Sequence, residues 1–176
     1  MREILREPDE RLRRKSKRIT KITPEIRKLA KEMIEIMRNP ARPGIGLAAP
    51  QIGVFLRIVT IGIGDENFVL INPEITGVKQ PVDFQEGCLS VPGVYSNISR
   101  PKIVSYSYTN LKGKKITGQS DSVFARVIQH EIDHLDGKLF IDYLTEDSNI
   151  ELEEGAEVPK SLIKRLQKES KDDCNS

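Results

Sequence analysis

The sequence predicts an α+β fold in which antiparallel sheets pack around a central metal-binding helix. Three observations lead there. Periodic segments come in the order helix, strands, helix. The strand-like segments are β-branched, and two of them are joined by a tight turn. The chain's two histidines, His130 and His134, fall four residues apart on the second helix.

The first helix is read from "TPEIRKLAKEMIEIMRNP". Thr23 can cap it, and Pro24 suits the first helical position, where no backbone donor is needed. Ile26, Leu29, Met33, Ile36 and Met37 line one face, and Asn39-Pro40 stops the helix. The Gly/Pro/Ala run "ARPGIGLAAPQIG" reads as a loop. "FLRIVTIGIG" and "NFVLINP" read as strands, and "VDFQEGCLSVPGVYSN" as a short strand entering a loop. "KIVSYSYTN", a turn at "LKGKK" and "ITGQS" form a hairpin. The second helix starts near the caps Ser120-Asp121-Ser122, runs to Leu135 or Asp136 and stops at Gly137. "KLFIDYL" reads as a buried short strand or extended segment.

Length and composition favour one domain: 176 residues, 38% hydrophobic and 31% charged, are ordinary for a folded globular chain. The expected division is a catalytic domain over 1–145 and a C-terminal extension over 146–176. The extension comprises an acidic loop ("EDSNIELEEGAEVP"), a short basic helix ("PKSLIKRLQKES") and a polar tail holding Cys174, where disorder is the expectation. It is read as packed on or beside the domain.

A net charge of +2 gives no pull toward DNA or an anionic membrane. The cluster Arg11, Arg13, Arg14, Lys15, Lys17 and Arg18 reads as a solvated face. No segment approaches the ~20 apolar residues of a membrane span. The start is charged from residue 2, without the apolar core of a secretory signal. Two cysteines, Cys88 and Cys174, make no disulfide framework, so the expected compartment is the cytoplasm.

"QHEIDHLDGKLF" carries the chemistry. On a helix His130 and His134 share one face and can reach one ion, and apolar Val123, Phe124, Val127 and Ile128 at the same spacing turn that face inward. The bland alternative is two inert core histidines. His-Glu-x-x-His is first associated with zinc metalloproteases, the glutamate (here Glu131) serving as general base. The longer metzincin pattern fits Gly137 but puts Phe140 where a third histidine belongs. A catalytic site needs three protein ligands and an open position, so the third is a cysteine or a carboxylate. Cys88 in "QEGCLSVPG" is the candidate, against the alternative of a small core residue. Cysteine with two histidines does not choose among Fe(II), Zn, Ni and Co. A closed structural zinc site with a fourth protein ligand is the non-catalytic alternative. "GIGLAAPQIG" lacks the Gly-Lys-Ser/Thr ending of a nucleotide loop; it reads as backbone approaching an active site, with Gln51 offering an amide donor.

"GIGLAAPQ", "EGCLS" and "QHEIDHLDG" resemble, in this order, the three signature motifs of the peptide deformylase family. The likeness extends from "PDERLRRKSKRI" through "LINPEI" to "GKLFIDYL", roughly residues 3–145. It implies a peptide deformylase-like fold and hydrolytic removal of the N-formyl group from N-terminal formylmethionine of new polypeptides, releasing formate. The resemblance makes Cys88, His130 and His134 ligands of one divalent ion, usually Fe(II) in bacterial members and replaceable by Zn, Ni or Co. Such an ion acidifies bound water. Glu131 becomes the base that later protonates the leaving amine. Gln51 and the Leu89 backbone N–H match the family's oxyanion donors. Gly46 would contact substrate backbone, and Arg100 would support the Cys88 thiolate electrostatically. Ile45, Phe84, Phe124 and Val127 are candidates for the methionine pocket, with core packing as the alternative. Tyr95 stands where some bacterial members carry a substrate-contacting arginine. The partners expected are formyl-Met nascent chains, and the basic C-terminal helix is a candidate ribosome contact, the alternative being a solvated helix.

Overall fold

The computed structural model describes residues 2–164 and 166. The chain runs α1 (Pro24–Met37), β1 (Gly46–Ala48), β2 (Ile58–Ile63), β3 (Glu66–Cys88), β4 (Val91–Thr109), β5 (Lys115–Ser120), α2 (Val123–Leu135) and β6 (Ile150–Leu152). Turns of 3-10 helix occupy Glu10–Arg13, Ala49–Ile52 and Phe140–Tyr143. Strands β1 to β5 lie in sequence order in an antiparallel sheet, and β6 adds to β4. The α+β class is therefore as expected, with α2 packed against β1, β2 and β4.

Local chemistry accounts for the helices. In α1 all five predicted face residues are buried, with Ala30 beside them. Pro24 takes the first position as expected, but the Thr23 side chain makes no capping bond. In α2 the Ser122 hydroxyl accepts from Phe124 N at 3.3 Å, supplying the cap. Gly137 stops α2 with φ of +76°, and a Cβ there would lie 2.3 Å from the Arg13 carbonyl oxygen. Glycine is needed for conformation and for space at once.

The strands depart most from expectation. "VDFQEGCLSVPGVYSN" is no short strand entering a loop: β3 and β4 form a ribbon 23 and 19 residues long, closed at Leu89-Ser90. Four prolines (Pro73, Pro81, Pro92 and Pro101) and register shifts near Ile71/Glu74, Ile75/Gly77 and Gly87/Cys88 interrupt the alternation that marks a strand. Residues 78–85 are also exposed on both faces, so no buried face distinguishes them. "GIGLAAPQIG" is likewise more ordered than a loop, folding as β1 and the 3-10 turn after it. "KLFIDYL" is not extended: the Asp142 carboxylate accepts from Leu139 N at 2.8 Å and winds Phe140–Tyr143 into a 3-10 turn.

Three hydrophobic clusters bracket α2 and the sheet. One joins α1 to β1 and β2 through Met33, Met37, Leu47 and Ile58. A second joins α2 to the sheet through Val59, Leu70, Ile128 and Leu135. The third gathers Leu12, Val94, Ile98, Phe140 and Leu144, and Cys88 packs against it. The C-terminal segment adds Ile150 and Leu162 to this third cluster, so β6 is structured where an acidic loop was expected. Helical backbone covers 160–164 and 166; the other residues of the predicted basic helix, and the tail with Cys174, lie outside the described residues. Among the described residues no helix is long and apolar enough to cross a membrane.

Candidate metal centre

Cys88 ends β3 and pairs with Val91, the first residue of β4, so the Leu89-Ser90 turn holds its thiol at a fixed corner. From the other side α2 presents His130 and His134 one turn apart, with ring centroids 5.0 Å from each other. The ligand atoms of Cys88, His130 and His134 all lie within 4.8 Å of one another, and Cys88 Sγ is 3.3 Å from His134 Nε2. Among the described residues this is the one such group, with no fourth protein donor in it. A thiol and two imidazoles suit a divalent transition metal and leave a position open, against the closed zinc alternative. Phe140, at the expected place of a third histidine, stacks on the His130 ring at 6.2 Å.

A buried charge network orients His130. His130 Nδ1 lies 2.9 Å from Glu86 Oε2, which turns Nε2 toward Cys88 and His134. Glu86 accepts two bonds from Arg100, at 2.7 and 3.1 Å, and Arg100 Nη1 donates to Asp133 at 2.6 Å. Tyr143 Oη donates to the Asp133 carboxylate at 3.0 Å, and its ring lies under the Arg100 guanidinium at 4.9 Å. Arg126 Nε sits 2.9 Å from Glu86 Oε1 but is misaligned, adding charge without a hydrogen bond. Arg100 therefore spends its hydrogen bonds on Glu86 and Asp133, behind the Cys-His-His group.

Glu86 is the residue that sequence reasoning passed over. Its signal was its place two positions before Cys88, on the same strand face. Burial pushes its carboxyl up, but the bonds from His130 and Arg100 outweigh this and hold it at about 2. Burial also opposes charge on His130, yet Cys88 and Glu86 beside it hold its pKa well above the ordinary value. His134, buried beside His130 and Arg100, is held well below.

Glu131 is 4% exposed, and burial lifts its carboxyl to about 7. Its Oε2 is buried without a hydrogen-bond partner, as is His134 Nδ1. A Cβ added to Gly46 would fall 2.2 Å from Glu131 Oε1, so β1 runs directly past the carboxylate. Gln51, 1% exposed, accepts from Ala48 N at 2.8 Å through Oε1. That bond aims its Nε2 at Ser90 Oγ (3.2 Å) and Cys88 Sγ (3.6 Å).

Cys88, His130, Glu131, Glu86, Gln51 and Gly46 line one cleft of about 1090 Å³, while His134, Arg100 and Asp133 lie behind its surface. Ile45, Phe84 and Val127, predicted for the pocket, line it together with Gly46 and Leu89. Ile45 and Phe84 are exposed at its rim, where an apolar side chain can cover them. Phe124 does not belong to it: its ring packs edge-on against Phe68 at 5.6 Å and against Tyr106 at 5.1 Å. A residue six positions before His130 points to a different side of α2, so spacing alone misplaced it. Val123, predicted to turn inward, is exposed at the cleft instead. Tyr95 lines the cleft opposite Gly87, where a Cβ would lie 2.5 Å from its ring.

A corner with three convergent soft-to-borderline donors, an unpartnered buried carboxylate and an apolar cleft define the class: a metal-dependent hydrolase. The polypeptide deformylase family model matches residues 1–149. A peptide deformylase of Rhodopseudomonas palustris is 46% identical over 153 residues, spanning 82% of this chain and 86% of that relative. One from a Picosynechococcus strain is 49% identical over 140 residues, spanning 76% and 74%. The crystal structure of a peptide deformylase from Legionella pneumophila superposes with a TM-score of 0.79 at 35% identity, covering 100% of this chain and 99% of that one. The chain belongs to the polypeptide deformylase family. Its activity is hydrolysis of N-terminal formylmethionyl peptides, and the metalloprotease alternative is not favoured.

Proposed function

We propose that Cys88, His130 and His134 hold one divalent ion, Fe(II) in the cell with Zn, Ni or Co able to replace it, and that Glu131 is the catalytic base. The ion, when bound, acidifies water and polarises the formyl group. Glu131 takes the proton of the attacking water and passes it to the nitrogen of the leaving methionyl peptide, so that formate and a free amine result. Its raised carboxyl suits both halves of that exchange. Gln51 Nε2, aimed at the corner by the Ala48 bond, and the Leu89 N–H in the adjoining turn donate to the formyl oxygen as it gains charge. Gly46 gives the substrate backbone access beside Glu131, while Ile45, Phe84 and Val127 cover the methionine side chain. Arg100 acts as a support through Glu86.

The observation that carries this reading is a buried carboxylate with a free oxygen, one residue from a histidine of the Cys-His-His group, in the same cleft. Residues 1–145 would be the catalytic domain and 146–176 an extension of it. The working compartment would be the cytoplasm, where nascent chains are processed. Formate release from formyl-Met-Ala-Ser, compared with cleavage of Met-Ala-Ser, tests the assignment. Formate from the first and no cleavage of the second is expected; cleavage of the unformylated peptide bond would contradict it.

A further inference from the structure

The cleft has a wall that the three motifs do not supply. Strand β6 pairs with the start of β4 in the register Val94↔Leu152, Tyr95↔Glu151 and Ser96↔Ile150. Just beyond it, Glu153 N donates to the Gly93 carbonyl at 2.8 Å, which brings the Glu153 side chain back over β4. Tyr95 Oη donates to Glu153 Oε1 at 2.6 Å, and both residues line the cleft. Gly93 is tight against this segment, since a Cβ there would lie 2.6 Å from Ala156 Cβ. On the next pairs Gln85 Nε2 donates to Glu151 at 2.7 Å, tying β6 to β3 as well.

This placement puts a carboxylate near the metal ligands without putting it in the chemistry. Tyr95 pairs with Gly87, the neighbour of Cys88 in sequence. The phenol occupies one oxygen of Glu153 and leaves the charge, on an exposed side chain, facing the cleft. Other charges line the same cavity. Arg126 is engaged with Glu86 and the carbonyls of Phe84 and Ile98. Lys102 lies seven residues further along β4, on the order of 20 Å for an extended strand. Arg42 comes from the loop after α1, and Asp121 from the turn before α2. Among these charges Glu153 is the one bonded to Tyr95.

We infer that the C-terminal segment around β6 forms a specificity subsite for the peptide downstream of formylmethionine, in which Glu153, positioned by Tyr95, favours basic over acidic side chains. The inference rests on the deformylase reading of the cleft. An extended peptide advances ~3.3 Å per residue, so a carboxylate bonded to the residue opposite Gly87 is offered to the residues that follow formylmethionine and not to formylmethionine itself. An exposed charge contact of this kind is worth about a two- to fivefold preference, and it fades as salt rises.

The test uses the full metal-loaded chain and measures kcat/KM for formyl-Met-Ala-Lys against formyl-Met-Ala-Glu, and for the same pair of side chains at the second position. The natural chain should prefer lysine in one of the pairs. Glu153→Gln should bring that ratio close to one, Glu153→Lys should invert it, and Tyr95→Phe should weaken it by freeing the carboxylate. The ratio should also shrink in high salt. Formate release from both peptides with a ratio that is the same in the natural chain and in Glu153→Lys overturns this inference alone. No formate from either peptide would overturn the deformylase reading beneath it.

Discussion

The two ends of the cleft are built on opposite principles. At the metal end, Glu86 and Arg100 are 6% and 5% exposed and cross-link β3, β4 and α2 through a continuous set of hydrogen bonds. At the β6 wall, Tyr95 and Glu153 meet in a single exposed bond. Removing one member of a buried charged set strands its partner in a poorly solvated place, at about 3–5 kcal/mol. Removing one member of an exposed pair costs about 0–1 kcal/mol, because water takes its place. The ligand geometry is thus fixed by the fold, while the wall beside it can change its charge with little effect on stability. The reaction and its peptide preference can vary independently.

Substitutions can break this contrast, and they rank by depth. Cys88→Ala should give the largest loss, removing a ligand outright; metal content by elemental analysis should fall well below one ion per chain, with formate release lost alongside. Glu86→Gln comes next. It frees His130 and leaves Arg100 short of a counter-charge, so metal affinity should drop about 10–100-fold and the melting temperature should fall. Retention of natural metal affinity in that variant would show that the His130 orientation does not depend on Glu86. Gly46→Ala should displace the Glu131 carboxylate, because its Cβ would otherwise overlap Oε1. A reduced kcat with metal content near one per chain is expected. Phe124→Ala should reverse the pattern, costing up to about 3 kcal/mol in denaturant unfolding while leaving KM for formyl-Met peptides unchanged. A raised KM would return Phe124 to the methionine pocket. Tyr95→Phe should be the mildest, within about 1 kcal/mol of the natural stability.

What was legible in the sequence follows the same division. The Cys-His-His group could be found because histidine is rare in this chain and helical spacing is rigid. His130, Glu131 and His134 had to share a neighbourhood, and Phe140, standing where a third histidine would be, leaves Cys88 as the remaining soft donor near a motif. The face of α1 was legible for the same reason, with all five predicted residues buried. The ribbon of β3 and β4 was not, because its prolines, register shifts and two-sided exposure erase the period of two. Glu86 was hidden by its ordinary appearance: a carboxylate before a cysteine becomes a histidine partner only when β3 faces α2. Phe124 shows the limit of local reasoning from the other side. It was given a pocket role by closeness in sequence, and its ring is held by Phe68 and Tyr106, brought from elsewhere in the fold. The contribution of β6 was least legible of all, since "IELEE" carries no strand pattern and gains order from pairing with β4.

The central claim is that Glu131 moves the proton at a site whose metal is held by other residues. It is tested most directly by measuring metal content and formate release together in Glu131→Gln, purified without oxygen beside the natural chain. The predicted result is one ion per chain in both proteins, with turnover in the variant lower by about 10²–10⁴. Formate release near the natural rate at full metal content would contradict the assignment of Glu131 as the base.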